Sequence, residues 1–335
     1  MSHPTPAVGR PTRTNARGLH HDETRFFPAP GCGGCVDREH CGALATGNGL
    51  LDCYAHCCGR PGRCQWVCRR NPQFRPQIQE IGGLEFDRVS IVRSPEAPTL
   101  PDYVPHVYHG SGRHEPLIVP AVAIKLAQLF DKRTGAPRFA TRDALLRRFM
   151  IGDSASILVT GVDDDPVIER WWKIGQNARR RLIAVLGEMG VAIATTPNYS
   201  VSVNWPRPGD LAAMKRILLC CAEMMEGGLP AALHVNGRTP RDFERWAGVL
   251  RRLRGITHVA YEFTTGAARG ERRDQHVTWL SELAKRVERP LHLIVHGESC
   301  VVVPLKRAFG QVTWIDTSSF IKTVHRRRAE RSGND

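Results

Sequence analysis

Eight short apolar runs alternate with longer segments of helical periodicity between residues 88 and 316. Each run is a near-continuous stretch of β-branched and aliphatic residues, as expected of a strand that is buried on both faces of a parallel sheet. The runs cover residues 88–93, 117–124, 156–162, 191–196, 231–236, 258–263, 291–296 and 312–316. Eight strands that alternate with helices over about 240 residues predict an α/β protein with a (β/α)8 barrel, and an open doubly wound sheet is the alternative.

Four segments between these runs repeat apolar residues at the spacing of an amphipathic helix. They cover residues 167–188, 211–225, 240–255 and 272–287. The segment after the first run differs, because residues 95–115 include four prolines and show no helical period. We therefore expect the first strand–helix unit to be irregular, either as an imperfect start of the barrel or as a long loop over its mouth.

A cluster of cysteines precedes the predicted barrel. Eight of the eleven cysteines lie between residues 32 and 68, and they are Cys32, Cys35, Cys41, Cys53, Cys57, Cys58, Cys64 and Cys68. Glycines around the first pair allow two thiolates to face one ion without straining the backbone. The segment holds so few apolar residues that it needs metal or crosslinks in order to fold. These features predict a metal-binding module.

The identity of the metal is open at this point. The two CxxxC pairs and the closing Cys68, which shortly precedes a proline, favour an iron–sulfur cluster of the 4Fe–4S type. Zinc is the alternative, because Cys32 and Cys35 have the spacing of a zinc knuckle. Disulfides are disfavoured in a reducing compartment. The spacing leaves open whether there are one or two metal centres. Cys220, Cys221 and Cys300 lie in apolar surroundings and are predicted to be core residues.

The pattern predicts four parts of the chain: a disordered lead over residues 1–28, the cysteine-rich module over 29–80, the barrel over 81–322 and a basic tail over 323–335. The lead lacks the apolar region of a secretory signal. No apolar run approaches the roughly 20 residues that a membrane span requires. We therefore expect a cytoplasmic protein that does not contact membrane.

The formal net charge of +14 and the isoelectric point of about 9.7 predict attraction to polyanions, with nucleic acid as the expected partner. The competing interpretation is a basic composition that is spread over solvated faces. Arginines 179–181 and the run at 325–328 are the local concentrations of charge. The choice between DNA and RNA and the oligomeric state stay open.

Polar residues follow or end most of the predicted strands, where the active site of a barrel lies. Ionisable side chains within apolar strands are costly without a partner, so these residues indicate either a functional site or histidines that are satisfied within the core. The predicted catalytic residues are Glu262, His234, Asp163 and His296, with a carboxylate as the acid/base and His234 as the proton carrier or hydrogen-bond donor. The predicted substrate-binding residues are Asn198, Tyr199, Asn236 and Asp316.

The segment Thr196-Pro197-Asn198-Tyr199-Ser200, which is followed by Trp205-Pro206-Arg207, resembles a motif in a group of bacterial and phage proteins of unknown function. In those proteins an (S/T)PN(F/Y)S strand end precedes a helix in a barrel-like domain. The resemblance extends over residues 155–320. It implies a barrel-type fold and a mobile-element setting, and it implies no particular activity.

These observations together predict a metal-containing barrel enzyme that acts on nucleic acid or on a nucleotide-like substrate. Walker A, GxGxxG and GxSxG motifs are absent from the sequence. The alternatives are a non-catalytic nucleic-acid-binding protein with a structural metal clasp, and an iron–sulfur protein for electron transfer or redox sensing.

Overall fold

The computed structural model describes residues 73–201, 207–264 and 270–320, together with Val67, Asn71 and the backbone of a short antiparallel pair, Ala45–Thr46 and Gly49–Leu50. The eight clustered cysteines, the N-terminal lead and the basic tail lie outside the described residues. The metal module and its ligands therefore stay predictions.

Eight strands form a single parallel sheet. They are β1 Tyr103–Pro105, β2 Ala121–Lys125, β3 Ser156–Thr160, β4 Val191–Thr195, β5 Ala231–His234, β6 His258–Phe263, β7 His292–Gly297 and β8 Gln311–Asp316. Their order is β1-β8-β7-β6-β5-β4-β3-β2. A parallel bridge between His106 and Ala123 brings the two ends of the sheet together, and the Val107 amide donates to the Ala123 carbonyl over 2.8 Å. The sheet is thus a nearly closed barrel, which confirms the predicted fold class.

Helices follow most strands. They are α1 Phe74–Glu80, α2 Arg142–Phe149, α3 Asp165–Lys173, α4 Gln176–Glu188, α5 Arg207–Glu226, α6 Pro240–Arg252, α7 Gly270–Val287 and α8 Val302–Lys306. The predicted single helix over residues 167–188 is two helices, α3 and α4. Gly175, which lies between them, has φ +82°, a conformation that glycine adopts at little cost and that a continuous helix does not allow.

The first strand is where the sequence-based assignment is wrong. Residues 88–93 form no strand: the Val92 side chain is 89% exposed, and the Val89 carbonyl accepts a hydrogen bond from Arg252 instead of from a neighbouring strand. β1 instead lies in the proline-rich segment that was expected to be irregular. It is only three residues long and ends in Pro105, so neither its length nor its composition indicates a strand.

The chain divides into two compact units. One comprises Asp87–Tyr199, Ile217–Val235 and Trp246–Asp335, and it contains all eight strands of the barrel. The other comprises Met1–Phe86, Ser200–Arg216 and Asn236–Arg245. Within its described residues, the buried Arg238 guanidinium pairs with Asp210 at 2.9 Å, and the buried Lys215 ammonium donates to the Glu85 carbonyl.

None of the helices in the described ranges combines the length and the apolar character that crossing a membrane requires.

Candidate active site

The interior of the barrel is built in layers. Side chains of alternate residues point to the same face of a strand, so residues two apart share the interior. An apolar layer occupies its middle and includes Val104, Ala123, Leu158, Ile193, Ala232, Ala260, Ile294 and Ile315. Counting two residues toward the carboxyl ends of seven of these strands gives polar or charged residues at the same face: His106, Lys125, Thr160, Thr195, His234, Glu262 and His296. The strand period therefore places an ionisable or hydroxyl-bearing layer directly above an apolar floor.

Two side chains from the loops after β3 and β4 join this layer. The Lys125 ammonium pairs with Asp163 at 2.8 Å, and the Asn198 amide donates to Glu262 over 3.2 Å. We call the set His106, Lys125, Asp163, Asn198, His234, Glu262 and His296 the mouth cluster. Four of its members were predicted as catalytic residues and one, Asn198, as a substrate-binding residue.

Gly161 permits the loops that carry Asp163 and Asn198 to meet. A Cβ atom on Gly161 would lie 2.3 Å from the Thr196 carbonyl oxygen, and both partners are backbone. The backbone N–H of Asn198 also donates to the Gly161 carbonyl over 3.0 Å. No larger residue fits at position 161 without displacing the end of β4, so this glycine holds Asn198 in reach of Glu262.

Glu262 is held by donors on both of its oxygens. One oxygen accepts from Asn198, and the other accepts from the backbone amide and the hydroxyl of Thr264. Such hydrogen bonds are charge-assisted when the acceptor is a carboxylate. They fix the carboxyl group in one orientation at the mouth, as a positioned acid or base requires.

His234 is fully buried and has a defined tautomer. Its Nδ1 lies 2.5 Å from the Thr196 carbonyl oxygen, which can only accept, so Nδ1 carries the proton and Nε2 is left as an acceptor. Burial lowers the pKa of His234 to about 4. The ring is therefore neutral at pH 7, and its Nε2 has no hydrogen-bond partner in the described part of the chain.

His106 and His296 lie beside each other with their rings 5.4 Å apart in an edge-to-face arrangement. Burial and the nearby Lys125 charge lower the pKa of His106 to about 3. Burial, His106, His234 and Lys125 lower the pKa of His296 well below its ordinary value. Neither nitrogen of either ring has a hydrogen-bond partner among the described residues.

The other three predicted binding residues are not members of the mouth cluster as defined above. The Tyr199 ring is buried and faces Trp172 of α3 edge-on, with the ring centroids 6.4 Å apart. Asp316 lies one residue beyond the inward-facing Ile315. Its carboxylate accepts from the Tyr103 hydroxyl and from the amide and hydroxyl of Ser318, so it holds the end of β8. Asn236 belongs to the other compact unit.

Two members of the mouth cluster, His106 and Lys125, were not predicted from the sequence. His106 was missed because β1 was placed at residues 88–93. Lys125 was missed because the second strand was taken to end at residue 124, although a lysine directly after four apolar residues is a visible signal. Lys125 is the last residue of β2, and His106 on the neighbouring chain segment pairs with Ala123, two residues before Lys125.

Of the arginine run at 179–181 and the three cysteines of the barrel region, some side chains are buried and others are exposed. Arg179 of the predicted basic patch is buried and forms two hydrogen bonds with Glu223, whereas Arg180 and Arg181 are exposed. Cys220 and Cys221 are core residues as predicted. Cys300 is exposed, so its assignment to the core is wrong.

Metal ligation by the barrel has no support in the ranges that the structure describes, because no group of three or more His, Cys, Asp or Glu side chains there is arranged to hold an ion.

Neither a protein-family model nor a curated protein sequence matches the chain. Among solved structures, a putative lyase/mutase from Burkholderia cenocepacia J2315 is similar at 13% identity and a TM-score of 0.37, over 74% of this chain and 86% of that one. An oxaloacetate acetylhydrolase is similar at 13% identity and a TM-score of 0.36, over 67% and 78%. The barrel assignment rests on the strand order described above, and these similarities add nothing on chemistry.

Proposed function

We propose that this protein is an enzyme that catalyses proton transfer at the mouth of the barrel, on nucleic acid or a nucleotide-like substrate. The observation that carries the proposal is that two adjacent strands each end in an ionisable side chain with a fixed orientation: the neutral His234 with its defined tautomer, and the hydrogen-bonded Glu262 carboxyl. General acid–base catalysis needs a base that can accept a proton, here His234, and a carboxyl group that is held in a fixed orientation, here Glu262.

His234 is the proposed general base. Its Nε2 lone pair is available at neutral pH, and the Thr196 carbonyl bonded to Nδ1 stabilises the ring once Nε2 takes up a proton. Because burial disfavours the imidazolium, the ring must pass the proton on quickly. Glu262 is the proposed group that exchanges protons with the substrate or with solvent, since its side chain is only partly buried. Asp163 and Lys125 neutralise each other and position the rim of the site.

The substrate class is proposed from charge. The chain carries a formal net charge of +14, which attracts polyanions over the distance of a Debye length. A panel of nucleosides, nucleoside mono- and triphosphates, and short DNA and RNA oligonucleotides tests the proposal, with conversion followed by chromatographic separation coupled to mass spectrometry. Conversion of at least one phosphorylated member supports it. Binding of oligonucleotides without conversion of any member would favour a non-catalytic binding protein instead.

The cysteine-rich module is proposed to bind a 4Fe–4S cluster that supports the fold of the N-terminal segment, with zinc as the alternative. The proposal rests on the spacing of the eight cysteines. Anaerobic purification followed by metal analysis, sulfide analysis and a visible spectrum is expected to give a brown protein with iron and acid-labile sulfide. Removal of the metal by a chelator is expected to unfold the module, because the binding free energy of a structural metal is also folding free energy. A colourless protein that contains zinc would contradict the iron–sulfur assignment.

A further inference from the structure

Thr196 contacts the proposed base, His234, at two points. The backbone N–H of His234 donates to the Thr196 hydroxyl over 2.9 Å, and the ring Nδ1 donates to the Thr196 carbonyl oxygen over 2.5 Å. The two residues are 0% and 1% exposed, so water does not compete for these bonds. One residue therefore accepts both the main-chain proton and the ring proton of His234.

The hydroxyl contact makes the carbonyl contact possible. Thr196 directly follows β4, and its backbone N–H donates to the Ala232 carbonyl of β5 over 3.0 Å. The regular continuation of this parallel ladder would be a bond from the His234 backbone N–H to the Thr196 carbonyl oxygen. Instead, the hydroxyl accepts that N–H, and the carbonyl accepts from the ring. A residue without an acceptor in its side chain would offer only its carbonyl oxygen to both donors.

The local sequence fixes the direction of both acceptors. Thr196 precedes Pro197, and the proline ring restricts the preceding residue to an extended backbone, which sets where its carbonyl points. The β-branch of Thr196 restricts its χ1 angle and therefore the position of its hydroxyl. The carbonyl oxygen thus stays in place when the His234 ring takes up a proton, as electrostatic preorganisation requires.

We propose that Thr196 is a positioning residue for His234, and that its hydroxyl is the group that matters. By holding the end of β5, the hydroxyl keeps Nδ1 on the Thr196 carbonyl and leaves Nε2 free to accept a proton. The inference rests on the proposed function only in calling His234 a base. Thr196 acts through His234 and takes no part in the proton transfer itself.

The first test reads the His234 tautomer from long-range ¹H–¹⁵N correlation spectra of the full chain, labelled with ¹⁵N-histidine, at neutral pH. The His234 signals are assigned by their absence from His234→Gln. In the unsubstituted protein and in Thr196→Ser, which keeps the hydroxyl, we expect a protonated Nδ1 and an unprotonated Nε2. In Thr196→Val, which keeps the β-branch and loses the acceptor, the two ¹⁵N resonances are expected to move toward each other as the second tautomer becomes populated.

The second test is kinetic and uses the panel compound that the protein converts best. Thr196→Val is expected to lower kcat at least tenfold with little change in KM, because a displaced base impairs the chemical step and not binding. Thr196→Ser is expected to keep kcat within about threefold. Thr313→Val is the matched control, since it removes a buried hydroxyl that is bonded to the ring of His292, the first residue of β7. It is expected to lower the melting temperature and to leave kcat and the His234 spectrum unchanged.

Three results would overturn the inference: a protonated Nε2 in the unsubstituted protein, an unchanged His234 spectrum in folded Thr196→Val, or equal losses in Thr196→Ser and Thr196→Val. The first of these needs no variant, so the test stands even where a substituted chain does not fold. The spectra are independent of turnover. Failure of the nucleotide panel with the expected spectra would remove the proposed reaction and leave the role of Thr196 in place, whereas conversion with unchanged spectra would do the reverse.

Discussion

Lowering the pH from 7.5 to 5.0 is expected to reduce the free energy of unfolding by about 4 kcal/mol through His106 and His234 alone. Burial lowers the pKa of His106 to about 3 and that of His234 to about 4, whereas a histidine in an unfolded chain titrates near its ordinary value of 6.5. Each contributes about 2 kcal/mol over this interval, because one pKa unit corresponds to about 1.4 kcal/mol.

The sign follows from the protons bound. Between pH 6.5 and 4 the unfolded chain holds protons on these rings and the folded chain does not. The stability is therefore fully present above pH 6.5 and is lost as the pH falls toward the folded-state pKa values. His258 and His292, each with a pKa lowered to about 4 by burial, act in the same direction.

Urea unfolding at pH 7.5 and 5.0 in chloride buffer measures the effect. His106→Gln removes one titrating ring and is expected to shrink the pH effect by about 2 kcal/mol. Equal stability of the unsubstituted protein at the two pH values would show that the rings are solvated or partnered.

Replacing Arg179 by methionine is expected to cost about 3–5 kcal/mol, because it leaves the Glu223 carboxylate buried without its partner. Arg179 of α4 and Glu223 of α5 form two hydrogen bonds at 2.7 and 2.8 Å, and their side chains are only 4% and 11% exposed. The guanidinium also donates to the Trp172 carbonyl over 3.0 Å and lies 4.4 Å from the centre of the Trp172 ring.

A double-mutant cycle separates the interaction energy of the Arg179–Glu223 pair from the cost of burying an unpaired charge. The double variant Arg179→Met/Glu223→Met is expected to be more stable than Arg179→Met, since no charge is then left unpaired. Arg180→Met is the matched control, because Arg180 is exposed on the same helix, and it is expected to change stability by less than about 0.5 kcal/mol. A loss in the double variant as large as the sum of the two single losses would mean that the two side chains do not interact.

The parts of the fold that sequence could predict are those with a strong local signal. Strands β3 to β8 are apolar runs of four to six residues, and each of them overlaps a predicted run. β1 could not be predicted from local signals. It has three residues and a terminal proline, and it exists because β8 and Ala123 supply its hydrogen-bond partners from elsewhere in the chain. β1 and β8 are more than 200 residues apart in the sequence, so their pairing cannot be recognised from the composition of β1.

The candidate site divides in the same way. His234, Glu262 and His296 could be found because each interrupts an apolar strand in phase with its inward face. Tyr199, in the loop after β4, and Asp316, the last residue of β8, were assigned to the mouth from their position at a strand end. A shift of one residue along a strand turns a side chain to the other face, and Asp316 is one residue beyond the inward-facing Ile315. Tyr199 packs beside Trp172, and Asp316 holds the end of β8.

The central claim is that His234 and Glu262 catalyse proton transfer at the barrel mouth. Its most direct test is kcat/KM for the panel compound that the protein converts best, measured for the unsubstituted protein, Glu262→Gln and His234→Gln. Glu298→Gln is the matched control, because this exposed carboxylate follows β7 and lies outside the mouth cluster. We expect losses of about 100-fold or more in the first two variants, unchanged melting temperatures, and full activity in the control. Full activity of folded Glu262→Gln and His234→Gln would contradict the account.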